Sequence, residues 1–594
     1  MKIEAEVADA PLNLDKLIDG DASQFSLYID KIVTVAGDSI SLPPNGITVI
    51  VGGNNVGKST FLQEIKVHLE WQGGAKRLDK IVDRMGLQKT GSAKDLIAWL
   101  DSHHARTVEN NHEGFLDQNQ TLTSMRGIIN AWQTEHFSGS LHGLAGLLVH
   151  SGDAHARFQW VQPQPARSDY SAAATHPLHR LQDDENLLKA VCDLSEMIFR
   201  EKLILDWLSG EVRLRVGDLT VDVPPANAIT AEYRNALIAL PPLHAQGDGM
   251  KSLMGLLLPI ITSRYPIVIV DEPEAFLHPP QANVLGKVLG QLARDRGIQI
   301  IVATHDRNLL IGLLESQAPV SVVRLDRKAD TVRAHQLDPS RVQGLWSDPV
   351  LRYTNVLDGL FHRVVVLAEA DRDCRFYKAS LDAAESLQRL SFNSGDVLFV
   401  PAGGKDGFVR LASVLQGVSV PLVAIPDLDL LDDESKVRKL VSSFDAEWQP
   451  HSAEYRVATN AFRQPRATVS CGQILAQIQL VLQRDPDKVY DRAISELVKS
   501  AMRAEPSPWR QLKDYGDRAF KGEAAVAANS LLDWLDGIGI VLVRAGELER
   551  LAPLVAAQKG AGWLDAAIRE GAHEQEPAQD HIKRLIRSIE RMLA

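Results

Sequence analysis

The sequence is poor in several features that define large protein classes. It has three cysteines, Cys192, Cys374 and Cys471, scattered over 594 residues. That spacing matches neither a disulfide framework nor a structural zinc site, so a reduced, cytoplasmic setting is the simple expectation. No apolar run reaches the roughly 18–20 residues of a membrane helix. The longest, Leu253 to Thr262, is interrupted by Pro259. The opening MKIEAEVADAPLNLDKL carries acids and lacks the apolar core of a signal peptide. Basic charge is not in excess either. The formal net charge is −12, so a nucleic-acid partner requires a local basic surface. Sustained heptads are missing, which argues against a long coiled coil. Neither a zinc site nor a Ser/His/Asp triad can be argued from any spacing.

What remains is an ordinary globular composition, 45% apolar and 24% charged. At about 100–200 residues per domain, two or three domains are expected.

The most specific local pattern is VIVGGNNVGKST, residues 49–60. Gly52, Gly57, Lys58 and Ser59 fit G-x-x-x-x-G-K-[ST]. The β-branched run Ile47 to Val51 precedes them, and a helical pattern from Thr60 follows. This is the strand–loop–helix setting of a P-loop. Bare glycine backbone lets N–H groups close around phosphate oxygens, and the helix N-terminus adds its positive end. Lys58 would reach the β- and γ-phosphates, and Ser59 would ligate Mg²⁺. The predicted nucleotide-binding set is Gly52, Asn54, Asn55, Gly57, Lys58, Ser59 and Thr60.

Two further strands support this reading. Ile267 to Val270 reads as a doubly buried strand ending in Asp271 and Glu272. Ligands bind at the carboxyl ends of strands in α/β sheets. Asp271 would hold Mg²⁺ through water, and Glu272 would polarise the water attacking the γ-phosphate. Ile298 to Val302 is a second buried strand, with His305 at its end to sense the γ-phosphate.

With DEPEAFLHP and THD, these motifs resemble the ATP-binding-cassette ATPases of the SMC, RecF and Rad50 branch. The resemblance implies a D-loop at Glu274 to His278. It also implies a signature segment in QGDGMKSLMGLLLPII, with Gly247 and Gly249 as its glycines and its usual serine missing. In that family two heads sandwich ATP, so a homodimer is implied. Between the P-loop helix and Gly247, from about residue 75 to 240, shorter helical pieces such as Leu187 to Leu208 point to a compact helical insertion, a candidate dimerisation subdomain, within which VRLRVGDLTVDV reads as a hairpin.

Near residue 345 the pattern restarts. Val364 to Leu367 is a buried strand followed by Glu369 and Asp373. Val397 to Val400 leads into PAGGKDGF, and PLVAIPDLDLLDD gives a strand ending in Asp427 and Asp429. In an extended segment, residues two apart point the same way. Crowded carboxylates repel unless a cation intervenes, and Mg²⁺ suits such an oxygen cluster. Two such ions can activate water and stabilise the leaving oxygen of a phosphodiester. Asp432 is either a further ligand or a solvated acid.

Glu369 and the Asp427-x-Asp429 pair resemble a TOPRIM domain, although Ala370 stands where a glycine is usual. An ABC-type head followed by TOPRIM resembles the OLD (overcoming lysogenization defect) family of nucleases. The resemblance implies metal-dependent cleavage of nucleic acid, DNA rather than RNA, in anti-phage defence. It implies ATP and Mg²⁺ as cofactors, with Mn²⁺ or Ca²⁺ as alternatives at the TOPRIM site, and an accessory defence protein as a candidate partner. It also implies a late lysine and further acids: Lys521 first and Lys513 second for the transition-state charge, and Glu547 as a metal-site acid.

The expected fold is therefore α/β: an ABC-type P-loop ATPase domain over 1–345 with a helical insertion, then a TOPRIM α/β domain over 346–594 with helical additions. Arg584, Arg587 and Arg591 on the last amphipathic stretch either touch phosphate or, more simply, face solvent. Two rivals stand beside the nuclease reading. One is an SMC/RecF-like repair ATPase whose second-half acids are structural. The other is an RNA- or tRNA-cleaving toxin resembling the two-part PARIS defence system.

Overall fold

The computed structural model describes residues 25–594 apart from 54, 72–78, 105, 110–111, 118–119, 134–138, 153–155, 170–173, 209, 226, 329, 348–354, 418, 464–469, 485, 503–507 and 557–560. The chain divides into two compact units, Met1–Phe361 and His362–Ala594. The boundary falls later than the expected 345. The helix Pro339–Ser347 packs on the strand Val320–Lys328, and Arg307 pairs with Asp358 at 3.4 Å, which ties the segment up to Phe361 into the first unit. No helix among the described residues is long and apolar enough to cross a membrane.

The first unit is built on a six-stranded sheet. Its order is Thr331–Leu337, Val320–Lys328, Ile47–Val51, Gln299–Ala303, Ile267–Asp271 and Val149–Gly152. Only the first pair is antiparallel. Ile47–Val51 is buried at every position, as its β-branched composition requires for a parallel strand covered on both faces. A second sheet, Ser39–Ser41, Ser26–Thr34 and Val82–Thr90, is antiparallel. Gln299 fastens it to the first. Its buried amide accepts from Ile29 N at 2.9 Å and donates to the carbonyls of Ile29 and Pro43 at 2.8 and 3.0 Å.

The segment expected to be a helical insertion is mixed. It includes the strands Val82–Thr90 and Arg106–Glu109, and it supplies Val149–Gly152 to the edge of the main sheet. The hairpin also differs from expectation. Glu211–Val216 pairs backwards with Leu203–Asp206, across a turn at Gly210, and not forwards with residues 218–223. A buried Arg215–Asp206 ion pair at 2.7 Å holds that register. Sequence alternation located the strand but not its partner.

The helix Asp248–Thr262 is buried along nearly its whole length. It lies so close to the segment Ala156–Gln159 that a Cβ on Gly255 would stand 1.9 Å from the Arg157 carbonyl oxygen.

The second unit has a parallel sheet ordered Val397–Pro401, Val364–Ala368, Leu422–Ile425. The predicted strand at 539–543 extends it through single parallel bridges, Ala424 to Ile540 and Asp427 to Val543. The helices Asp371–Leu387 and Glu576–Leu593 pack on this sheet. In the last helix the stripe Ile582, Leu585, Ile586 and Ile589 is buried in the core. Arg584 is structural: it pairs with Asp536 at 3.1 Å and donates to the Leu542 carbonyl at 3.1 Å.

The Gly255 contact makes a test of the packing. Gly255→Ala should destabilise the protein by about 1–3 kcal/mol, read as a lower thermal midpoint, because backbone must move to admit one methyl group. Gly344→Ala, on a helix with nothing within 4 Å, should be neutral or slightly stabilising.

Candidate functional site

In the first unit the chain leaves the buried strand Ile47–Val51 through Gly52, whose φ of 144° suits glycine, and Asn55, with φ of 63°. A Cβ on Gly52 would meet the Leu325 carbonyl oxygen at 2.5 Å. Gly57, with φ of 104°, caps the helix Lys58–Glu70 without a side-chain bond. The first N–H groups of that helix therefore have no capping side chain and can serve an anion. Asn54 lies outside the described residues. Lys58 is buried, and its Nζ donates to the carbonyls of Gly52 and Gly53, each at 3.0 Å. Burial pushes its ammonium below the usual lysine range, against the pull of Glu272, Asp271 and Glu274. Ser59 and Thr60 are exposed in the first helical turn.

Asp271 ends its strand within hydrogen-bond reach of the Ser59 hydroxyl. Burial raises its carboxyl, and the Ser59 bond opposes this. Its Oδ1 is buried without a hydrogen-bond partner among the described residues. An orphaned carboxylate oxygen beside a serine hydroxyl fits the donor set that Mg²⁺ takes near phosphates. Glu272 follows with φ of 45°, and its carboxylate stands 3.3 Å from His305 Nδ1. Structure thus brings Lys58, Ser59, Asp271, Glu272 and His305 to one end of one sheet.

Gly247 caps the helix Asp248–Thr262. A Cβ on Gly249 would lie 2.6 Å from the Phe276 carbonyl oxygen, so packing within the chain already requires a glycine there. Sequence reasoning missed Arg157. Its guanidinium is buried and donates to the carbonyls of Gly152 at 3.2 Å, of Glu272 at 3.0 Å and of Asp271. A lone arginine in DAHARFQW carried no signal that it would cross to the acid-bearing turn.

In the second unit Glu369, Asp427 and Asp429 converge. One oxygen from each lies within 4.8 Å of the others. The parallel pairing of Val364–Ala368 with Leu422–Ile425 produces this, because both strands end at the same edge. Glu369 Oε1 accepts from Asp427 N at 3.3 Å. Burial raises the Glu369 carboxyl, with Asp429 adding to the effect. Asp427 is pushed up to about 8, first by burial and then by Glu369. Asp429 Oδ1 is buried without a hydrogen-bond partner among the described residues. Repelling carboxylates with an orphaned oxygen fit a hard divalent cation.

Two lysines face this group. Lys405 Nζ lies 3.1 Å and Lys513 Nζ 3.0 Å from Asp429 Oδ2. Burial alone would lower the Lys513 ammonium, but Asp429, Asp427 and Glu547 hold it above the usual range. Lys521, the first candidate, is exposed just before the helix Glu523–Gly537 and lines neither cleft beside the acids. Lys405, within PAGGKDGF, has no role in the sequence expectation. Its place at the start of a helix after a double-glycine turn was the available signal.

Asp373 also departs from expectation. It is outside the three-acid group among the described residues. Its Oδ2 accepts Ala370 N at 3.0 Å and its Oδ1 accepts Arg372 Nε at 3.3 Å, so it fastens the first turn of its helix. Asp432 pairs with Lys405 at 3.4 Å. Glu547 lines the larger cleft, of about 1130 Å³, with Asp429, Lys405, Lys513, Trp509 and Arg510, but does not join the three-acid group. Glu369, Asp373 and Asp427 open into a neighbouring cleft of about 420 Å³.

Residues 47–312 match the family described as "AAA domain, putative AbiEii toxin, Type IV TA system". The match contains the P-loop, Asp271, Glu272 and His305, and with the geometry above it makes the first unit a P-loop ATPase domain. Among solved structures, the chain is similar to an SMC head bound to the C-terminal winged-helix domain of ScpA, with 13% identity and a TM-score of 0.32 over 52% of this chain and 98% of that one. It is also similar to the SMC head of Thermotoga maritima, with 12% identity and a TM-score of 0.27 over 53% and 99%. A third is cbiO1 of Clostridium perfringens, part of an ABC transporter complex, with 15% identity and a TM-score of 0.28 over 56% and 95%. No curated protein sequence matches the chain.

The Asp427 carboxyl yields a pH-dependent expectation. Its folded value of about 8 lies above the ordinary 3.8, so between these values the folded state binds more protons than the unfolded state. Stability without metal should therefore fall as pH rises through that window. Asp427→Asn should flatten this slope and raise stability near pH 8, on the order of 2 kcal/mol, in melts with a chelator.

Proposed function

We propose that the chain is an ATP-regulated, divalent-metal-dependent endonuclease, an ABC-type head joined to a TOPRIM-like nuclease unit as in the OLD family. The carrying observation is the convergence of Glu369, Asp427 and Asp429 at one sheet edge, beside two lysines. Bound at these carboxylates, Mg²⁺ or Mn²⁺ would supply charge neutralisation and a polarised water. Glu369, Asp427 and Asp429 hold and orient. Lys513 and Lys405 place positive charge where negative charge grows on the phosphodiester. In the first unit Lys58 would exchange the Gly52 and Gly53 carbonyls for nucleotide phosphates, Ser59 and Asp271 would hold Mg²⁺, and Glu272 with His305 would govern hydrolysis. ATP turnover in a homodimer of heads would then regulate cutting of a nucleic-acid substrate, DNA first, in anti-phage defence with an accessory protein.

A second reading keeps both sites and changes the substrate to RNA. It is favoured by the matched family's description, which names a toxin of a toxin–antitoxin system.

Incubation of plasmid and RNA panels with Mg²⁺ or Mn²⁺, with and without ATP, separates these readings. The expected outcome is cleavage that Asp427→Ala lowers at least about 100-fold while ATP turnover persists. Cleavage confined to RNA selects the toxin. If wild-type protein cuts neither, the chain is an ATPase without a nuclease and the reading is overturned.

The two late lysines can be told apart in the same assay. Lys513→Ala should lower cleavage by about 100-fold or more, as loss of a group that stabilises transition-state charge does. Lys521→Ala should leave it unchanged. The reverse result would return the role to Lys521.

A further inference from the structure

The acid two residues beyond Glu272 in the DEPE run has no role in the mechanism above, yet it is among the most buried charges of the first unit. Glu274 is 5% exposed, whereas the Glu272 side chain is 47% exposed. A buried carboxylate without a lysine or arginine partner is unfavourable, and an apolar side chain would fill the same space at lower cost. Glu274 has no such cation within ion-pair distance among the described residues. What it has is His305 and the residue before it.

A single oxygen, Glu274 Oε1, accepts the Thr304 hydroxyl at 2.7 Å and the His305 backbone N–H at 3.1 Å. The same oxygen lies 3.4 Å from His305 Nδ1. Three groups from two consecutive residues therefore meet one carboxylate oxygen. Glu272 reaches the same ring nitrogen at 3.3 Å. The left-handed turn at Glu272 makes this embrace geometrically feasible, and Glu272 N is itself held by the Ala303 carbonyl at 2.9 Å. Two carboxylates beside Nδ1 favour the tautomer with the ring proton on that nitrogen.

We propose that Glu274 is the positioning residue for His305. It locks the backbone and the imidazole of the histidine against the end of the Asp271 strand, so that Glu272 and His305 keep one fixed relation when ATP binds. Glu272 faces the reaction; Glu274 stays behind it and touches neither nucleotide nor water. Burial pushes the Glu274 carboxyl up, and the bonds from Thr304 and His305 oppose that shift, in keeping with a group held by hydrogen bonds in a dry setting. The inference rests on the ATPase unit and is independent of whether the second unit cuts nucleic acid.

The test is a double-mutant cycle on ATP turnover by the full chain. Glu274→Ala should lower kcat about tenfold or more and leave the KM for ATP within about threefold, the signature of a group acting at the chemical step. Glu274→Gln should recover to within about threefold, because its amide oxygen accepts from Thr304 and from the His305 N–H. In a His305→Ala background, Glu274→Ala should lower kcat less than about twofold further. An equal loss in both backgrounds, or an unchanged kcat in the first, overturns the proposal. If Glu274→Ala does not fold, Thr304→Val takes its place. Its kcat loss should vanish in the His305→Ala background, and persistence there overturns the proposal equally.

Discussion

Negative charge gathered at the carboxyl ends of parallel strands, and the lysines that restrain it, is the constraint on which both units depend. Parallel strands end together, so acids placed just after them arrive at one edge whether or not they attract. In the first unit Asp271, Glu272 and Glu274 all act on Lys58. In the second, Asp429 sits between Lys405 and Lys513. In each unit a lysine engages oxygen atoms near the strand ends, loop carbonyls in one case and a carboxylate in the other. Such arrangements lower stability and prepare a site for a cation or an anion.

Rigid surroundings make the arrangement tolerable. Gln299 fastens two sheets through a fully satisfied buried amide, and Arg157 donates to the Asp271 and Glu272 carbonyls of the acid-bearing turn. The helix Asp248–Thr262 reaches that turn only because Gly255 lets it approach the Arg157 backbone. These are long-range contacts between residues with no local pattern. They are the reason Glu272 can hold a left-handed backbone, which an acidic side chain adopts only under such support.

Much of the framework was legible in the chain itself. Buried parallel strands announce themselves as β-branched runs, and Ile47–Val51, Ile267–Asp271 and Val364–Ala368 all stand where such runs place them. Glycines with positive φ marked the P-loop. Where the fold departs from local pattern, a specific side-chain contact decides. The strand Glu211–Val216 was recognisable, but its partner was decided by an ion pair to Asp206. Asp373 has the spacing of a ligand and the position of a helix cap, and the cap prevails because Ala370 N is close at hand.

Local order along the chain determined which segments are strands, where the glycines must lie and which acids follow a strand end, because these depend on neighbours in sequence. Tertiary structure decided which acids meet, which lysine faces them and which histidine is clamped. Those outcomes depend on strand order and on side chains arriving from distant segments, such as Lys405 and Lys513 at Asp429, or Glu274 at His305. Distance along a chain carries no information about such meetings until the sheet has closed them.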